Sequence, residues 1–345
     1  MNNNSFLKMT LGLISLTIIV IILKELKAIF IPLTLAILLS FLFAPLNRFL
    51  VRKKVPTAII LAIMIFIILT VFTLIGSVIY ASISSFVMEF PKYEAKITNV
   101  IQNLIIELEI PQEEITNYLS NKVNWVEIAD RLSLSDVLSK TTGSFINFLI
   151  NLLLIVVFMI FIVLGRNKMF KRMEKIITHE KVMNSVLIFS KLEKQLKTYL
   201  LNKTFISILT AVFGMFFIYI FGVDFVIISG FFLFVLNFIP NIGSIIATLF
   251  PIVVCMIQYG FSWQLIALSS SLILTQATMA NVIEPNLMGT RLNLSPIMIL
   301  IALIFWYWVW GPVGMILAIP LTSAFSIIIK EFDSMKVISA LISDD

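Results

Sequence analysis

The sequence predicts an all-α polytopic membrane protein of about eight transmembrane helices, with re-entrant or broken helical hairpins in its C-terminal third. Three observations predict it. Hydrophobic residues make up 60% of the 345-residue chain and charged residues only 13%. Mean hydropathy is +1.06, more apolar surface than a soluble core needs, so lipid is the solvent for most of the chain. The remaining charges fall into alternating blocks, basic, acidic and basic again, the pattern left by loops on opposite sides of a membrane. Lys and Arg exceed Asp and Glu by 25 to 19. On so apolar a chain this excess reads as cytoplasmic loops and not as a nucleic-acid surface.

A bilayer core of about 30 Å takes roughly 20 helical residues. Residues 1–84 hold the N-terminal spans, 6–23, 28–47 and 56–84. No A-x-A site precedes Lys24, so the first span is expected to remain as an uncleaved helix. The link after the second span carries Arg48, Arg52, Lys53 and Lys54 without an acid, which places it and the N-terminus inside. Segment 85–142 is then extracytoplasmic, and its acids (Glu89, Glu94, Glu107, Glu109, Glu113, Glu114, Glu127, Asp130, Asp136) outnumber its bases. Within it Ile97, Ile101, Leu104, Ile105 and Leu108 follow the spacing of one helix face. A span at 143–164 leads back to a cytoplasmic segment, 165–203, rich in Lys and Arg against three Glu. There Val182, Val186, Phe189, Leu192, Leu196 and Tyr199 mark an amphipathic helix that braces the membrane part or lies along the headgroups. Residues 204–330 form a C-terminal transport region, and 331–345 a cytoplasmic tail.

Within 204–330 the runs 204–221 and 263–280 are uninterrupted, but two others are not. The pair 225–239 and 241–259 breaks at Pro240-Asn241, inside "FIPNIGSII", and the pair 296–310 and 313–329 breaks at Gly311-Pro312, inside "WGPVGMILAIP". Proline lacks an N–H and clashes with the preceding turn, and Gly243 lets the chain bend. In lipid each freed backbone group costs several kcal/mol unless protein or a water-filled cavity receives it, so paired breaks predict protected, hydrated places. If 225–259 re-enters there are eight spans; if both arms cross there are ten. Either count returns the C-terminus to the cytoplasm.

The chemistry is sparse. No CxxC, HExxH, GxSxG or Walker-type loop occurs, so the chain is read as a non-enzyme without cofactor, metal or direct ATP use. The one His, His179, reads as a solvated loop residue, and the one Cys, Cys255, forms no intrachain disulfide. What remains are polar groups among apolar ones. Asn237 and Asn241 flank the first break, beside Pro240 and Gly243. Gln276 and Asn281 close the span 263–280, Glu284 follows, and Gly311, Pro312 and Gly314 form the second break. These are the candidate solute or ion pathway. Within the membrane field Glu284 requires a proton, a cation or Arg291, its possible charge partner; alternatively the two pair at the cytoplasmic boundary in a loop. Asp224 reads as a solvated turn acid. Trp306, Tyr307, Trp308 and Trp310 read as an interfacial belt, or as a stacking wall for a ring-shaped solute.

At these residues the chain resembles the autoinducer-2 exporter family. Pro240, Gly243, Glu284, Pro285, Gly289, Leu294, Ser295, Pro296, Gly311, Pro312, Gly314, Pro320 and Leu321 match that family's pattern. The resemblance is close over the C-terminal third and extends to the earlier part as layout. It implies a homo-oligomer, a pentamer, in a bacterial inner membrane, acting in autoinducer-2 export or in Na⁺(Li⁺)/H⁺ antiport. Three functions follow as expectations. One is a secondary transporter exporting a small polar solute such as autoinducer-2, held by paired donors and acceptors of Asn237, Asn241, Gln276 and Asn281. The second is an antiporter in which Glu284 titrates. The third is an envelope scaffold that moves nothing and recruits a partner through segment 85–140.

Overall fold

The computed structural model describes residues 3–107, 148–165, 179–288 and 295–330, and these are helical apart from short turns. In chain order the helices are α1 (Asn3–Glu25), α2 (Lys27–Leu42), α3 (Ala44–Arg52) and α4 (Thr57–Glu107), then α5 (Phe148–Gly165) and α6 (His179–Ile220). They continue with α7 (Val226–Leu236), α8 (Ile242–Tyr259), α9 (Trp263–Thr278), a π-turn (Met279–Ile283), α10 (Glu284–Met288) and α11 (Pro296–Lys330). Among the described residues six helices are long and apolar enough to cross a membrane, or seven spans if the bent pair α2–α3 counts as one. Large apolar side chains stand exposed along most of them, Phe66, Phe161, Ile266 and Ile304 among them, as helices solvated by lipid require.

Two expected helices are present but are not separate elements. The stretch beginning at Ile97 continues the third span, because α4 runs on to Glu107, and Leu108 lies outside the described residues. The amphipathic stretch 182–200 is likewise the first half of α6, which continues through the expected span 204–221. No proline or glycine interrupts residues 182–213, so nothing in the backbone ends the helix between them. Most of the external segment, the first part of the basic segment and the tail lie outside the described residues.

The chain forms two compact units. The first comprises Met1–Ile65, Leu149–Asn202 and Met288–Asp345. Its core joins Leu38 and Phe41 of α2, Leu196 of α6, and Val309, Trp310 and Leu317 of α11. The Trp310 indole N–H donates to Leu23 O at 2.9 Å, satisfying a carbonyl that the end of α1 leaves free. Lys24 stacks over the Trp308 ring at 4.0 Å. Trp310 is therefore a buried packing residue, not part of an interfacial belt. Pro45 lies in the first turn of α3, whose axis bends by 48° from α2, and Arg48 on α3 pairs with Glu193 of α6 at 2.9 Å.

The second unit comprises Phe66–Phe148 and Lys203–Leu287. Ala211 and Ile218 of α6, Leu233 of α7, Ala247, Val254 and Cys255 of α8, and Leu268 and Leu272 of α9 form its core. Helix α6 ends in a Schellman motif. Val223 N–H reaches Ile218 O at 3.0 Å and Gly222 N–H reaches Tyr219 O at 3.1 Å, with Gly222 at φ 66°. The following turn is held by Asp224, which is not simply solvated. Its carboxylate accepts from Tyr93 Oη at 2.7 Å and Lys92 Nζ at 3.1 Å on α4, and its N–H donates to Gln258 Oε1 at 3.0 Å.

Both sequence breaks are real. At the first, α7 stops at Leu236 and α8 starts at Ile242, with Asn241 at φ 58°, ψ −60° at the centre of a γ-turn closed by the Ile242 N–H to Pro240 O at 2.6 Å. Phe232 of α7 meets Phe250 of α8 edge-on with ring centroids 5.1 Å apart, so the chain doubles back. At the second, Gly311 lies at φ 66°, ψ −148° inside α11. Trp306 Nε1 donates to Thr322 Oγ1 at 3.1 Å. A straight helix would hold residues sixteen apart at about 24 Å. Thus α11 is also a hairpin. The two share a local device: a Cβ at Gly243 would overlap the Leu236 carbonyl oxygen, and one at Gly314 would overlap that of Trp306.

Candidate functional site

The site begins with the periodicity of α6. Lys203, Ser207, Thr210, Gly214 and Ile218 recur at intervals of three and four, so they share one face, and all are buried. Gly214 lets this face approach Leu233 of α7, and Gly230 of α7 receives Met215 in return. The polar end of the stripe meets two of the sequence candidates. Lys203 Nζ donates to both carboxylate oxygens of Glu284, at 2.8 and 2.9 Å. The lysine side chain is 5% exposed and the glutamate 26%. One turn further, Asn237 Nδ2 donates to Ser207 Oγ at 3.0 Å, with Asn237 only 7% exposed. Thr210 returns its hydroxyl to Ile206 O at 2.8 Å and adds no free donor.

Glu284 owes its position to its neighbour. Pro285 has no N–H and its ring would strike the carbonyl four residues earlier in a regular α-helix. The chain widens instead into the π-turn Met279–Ile283, and the Glu284 N–H bonds to Met279 O, five residues back. The "EPNLM" stretch is therefore helical, not a loop, and carries its acid on a rotated face against α6.

Pairing explains how these charges tolerate burial. An uncompensated ion in a low-dielectric interior costs several kcal/mol, and two facing ions with good geometry offset that cost without gaining much stability. Such a pair is retained for specificity or function more readily than for stability.

The other sequence candidates fall around this pair or elsewhere. Pro240 is half-buried, Asn241 exposed and Gly243 buried, forming the turn that follows Asn237. Gln276 is half-buried, and its Nε2 is buried without a hydrogen-bond partner among the described residues. Asn281 is exposed. Gly311, Pro312 and Gly314 belong to the first unit, whereas the remaining candidates within the described residues belong to the second. Arg291 lies outside the described residues; the described partner of Glu284 is Lys203.

Sequence reading missed Lys203 and Ser207. It counted Lys203 as the last cation of the basic cytoplasmic segment 165–203. The signal was available: Leu196, Tyr199, Lys203 and Ile206 keep the helical spacing that marks the inward face.

Comparison with known proteins agrees with this architecture. Residues 11–334 match the family described as "AI-2E family transporter". "AI-2 transport protein TqsA" of Escherichia coli (strain K12) is 27% identical over 344 residues, covering 98% of this chain and 96% of that protein. A Borreliella burgdorferi protein named "Putative transport protein" is 26% identical, covering 92% of this chain and 86% of its own. E. coli (strain K12) YhhT, which bears the same description, is 25% identical, with 90% and 88% covered. With a family match spanning nearly all of its residues, the chain belongs to the AI-2E family of transporters.

Proposed function

We propose that this chain is a secondary transporter that exports a small polar solute such as autoinducer-2, along a path flanked by Lys203, Ser207, Asn237 and Glu284. The carrying observation is the Lys203–Glu284 pair, one helical turn from the Asn237–Ser207 bond. Together they supply a cation, a carboxylate, an amide and a hydroxyl within an apolar bundle, which suits a hydroxyl-rich solute. A relative is named as an autoinducer-2 transport protein, and that name supports the choice of solute. In the same reading the protein resides in a bacterial inner membrane with eight spans, both termini cytoplasmic, and acts as a homo-oligomer. Helix α7 supports re-entry of the first hairpin, because its 11 residues extend only about 16 Å against a 30 Å core.

Antiport of Na⁺ or Li⁺ against H⁺ is the second reading, favoured by one observation. Lys203 occupies the carboxylate as an internal cation that a proton or metal cation can displace. Flux in proteoliposomes of the purified chain separates the two, with autoinducer-2, Na⁺ and Li⁺ each tested with and without a pH gradient. Autoinducer-2 flux that needs Asn237 supports the first reading. Its absence, together with Na⁺-dependent proton movement lost in Glu284→Gln, supports antiport and overturns the first.

A further inference from the structure

A second polar place lies in the second unit, away from the Lys203–Glu284 pair. It is a cavity of about 220 Å³ where Ser82, Ser85 and Glu89 of α4 face the first turn of α7, residues Phe225–Ile228. The spacing of three and four puts the three polar residues on one face of α4. Ser82 is 5% exposed, and its hydroxyl is buried without a hydrogen-bond partner among the described residues. One carboxylate oxygen of Glu89, Oε2, is buried and unpartnered in the same sense. Opposite them α7 begins without a side-chain cap, and its hydrogen-bond ladder starts only with Ser229 N–H to Phe225 O at 2.9 Å. The N–H groups of Val226, Ile227 and Ile228 therefore precede the ladder.

The cavity thus sets unfilled acceptors and hydroxyls against unfilled donors. A bare cation drawn to Glu89 meets the positive end of α7, equivalent to about half an elementary charge. An anion drawn to the helix end meets the Glu89 carboxylate. A neutral solute carrying several hydroxyls satisfies both sides without adding charge. The volume lies below the roughly 300–1,000 Å³ of drug-sized pockets and suits a molecule the size of a pentose.

We propose that this cavity binds a small neutral polyhydroxylated solute, its hydroxyls donating to Glu89 and Ser82 and its oxygens accepting from the first-turn N–H groups of α7. This rests on the reading of the chain as a carrier of small polar solutes, and it adds a second station for them. The test uses the full chain in lipid nanodiscs, with D-ribose and xylitol as probes, and reads equilibrium binding by calorimetry. Both probes are expected to bind. Ser82→Ala should weaken them about fivefold and Glu89→Leu about tenfold or more, the losses expected for one neutral and one charge-assisted hydrogen bond. Glu89→Gln, which keeps an acceptor, should retain most of the affinity. Ser77→Ala should change nothing, because its hydroxyl bonds Leu74 O on its own helix. If Glu89→Leu does not fold, Ser82→Ala with Ser85→Ala carries the test. Absence of binding, equal binding by all variants, or Glu89-dependent binding of Na⁺ or acetate in place of the polyols would overturn the proposal. Flux of the same probes is measured in parallel. Glu89-dependent binding without flux sinks the transport reading and leaves the cavity standing; flux with Glu89-insensitive binding does the reverse.

Discussion

Removing either partner of the Lys203–Glu284 pair should destabilise the protein, and unequally. Glu284→Gln leaves an ammonium whose side chain is only 5% exposed without its counter-charge. Breaking a buried pair in this way costs about 3–5 kcal/mol. Lys203→Met strands the carboxylate instead, but that group is 26% exposed and water can reach it. Its loss is expected near the lower end of the cost of an unsatisfied buried charge, about 1–3 kcal/mol. The double variant, Lys203→Met with Glu284→Gln, removes both charges and should lose only about 2 kcal/mol; against single losses of about 3 and 2 kcal/mol, that is a coupling of about 3 kcal/mol between contacting residues. The assay is denaturant titration of the purified protein in mild detergent, with wild type, both single variants and the double variant forming one cycle. Equal single effects below about 0.5 kcal/mol, adding in the double variant, would refute the reasoning, since distant independent sites behave that way. The recovered double variant should still fail in flux, which separates stability from transport.

Three further outcomes are expected. Gly243→Ala and Gly314→Ala each force a methyl against a backbone carbonyl that cannot swing aside. Each should therefore cost about 1–3 kcal/mol in the same titration, whereas Gly76→Ala, at a position open on all sides, should not. Asn237→Leu leaves Ser207 without its described partner, costs about 0.5–1.5 kcal/mol, and should lower solute flux with little change in expression. The Asp224 turn should respond to acid. Burial pushes its carboxyl up, but hydrogen bonds from Tyr93 and Lys92 and the Lys92 charge outweigh that and hold it below the usual carboxylate range. A depressed value means the contribution to stability is present above the unfolded value, about 3.9, and is lost as pH falls through the folded one. Amide protection at residues 222–226, taken as exchange relative to the intrinsic rate at each pH, should therefore stay high at pH 5 and decline as pH falls below about 4. Asp224→Asn should remove that dependence.

The amino-acid sequence by itself determined the solvent, the helical class and the breaks. Hydrophobic runs of bilayer length leave little choice but helices, because every backbone N–H and C=O in hydrocarbon must be satisfied within the segment. Pro240 and the glycines at 243, 311 and 314 act on their own backbone, so the interruptions were readable locally. Glu284 and Asn237 stood out because polar groups are rare among so many apolar ones. Their partners did not, since Lys203 lies 81 residues from Glu284 and Ser207 lies 30 from Asn237. A cation at the edge of a basic segment looks alike whether it faces water or a carboxylate. Only folding α10 and the first hairpin against one face of α6 decides which. The same holds for Asp224, where the local turn suggested a solvated acid and α4 supplies Lys92 and Tyr93 from 132 and 131 residues away. Local chemistry fixes where a chain bends and which side chains are costly to bury; which group meets that cost is a matter of long-range packing, and sequence spacing carries no distance of that kind.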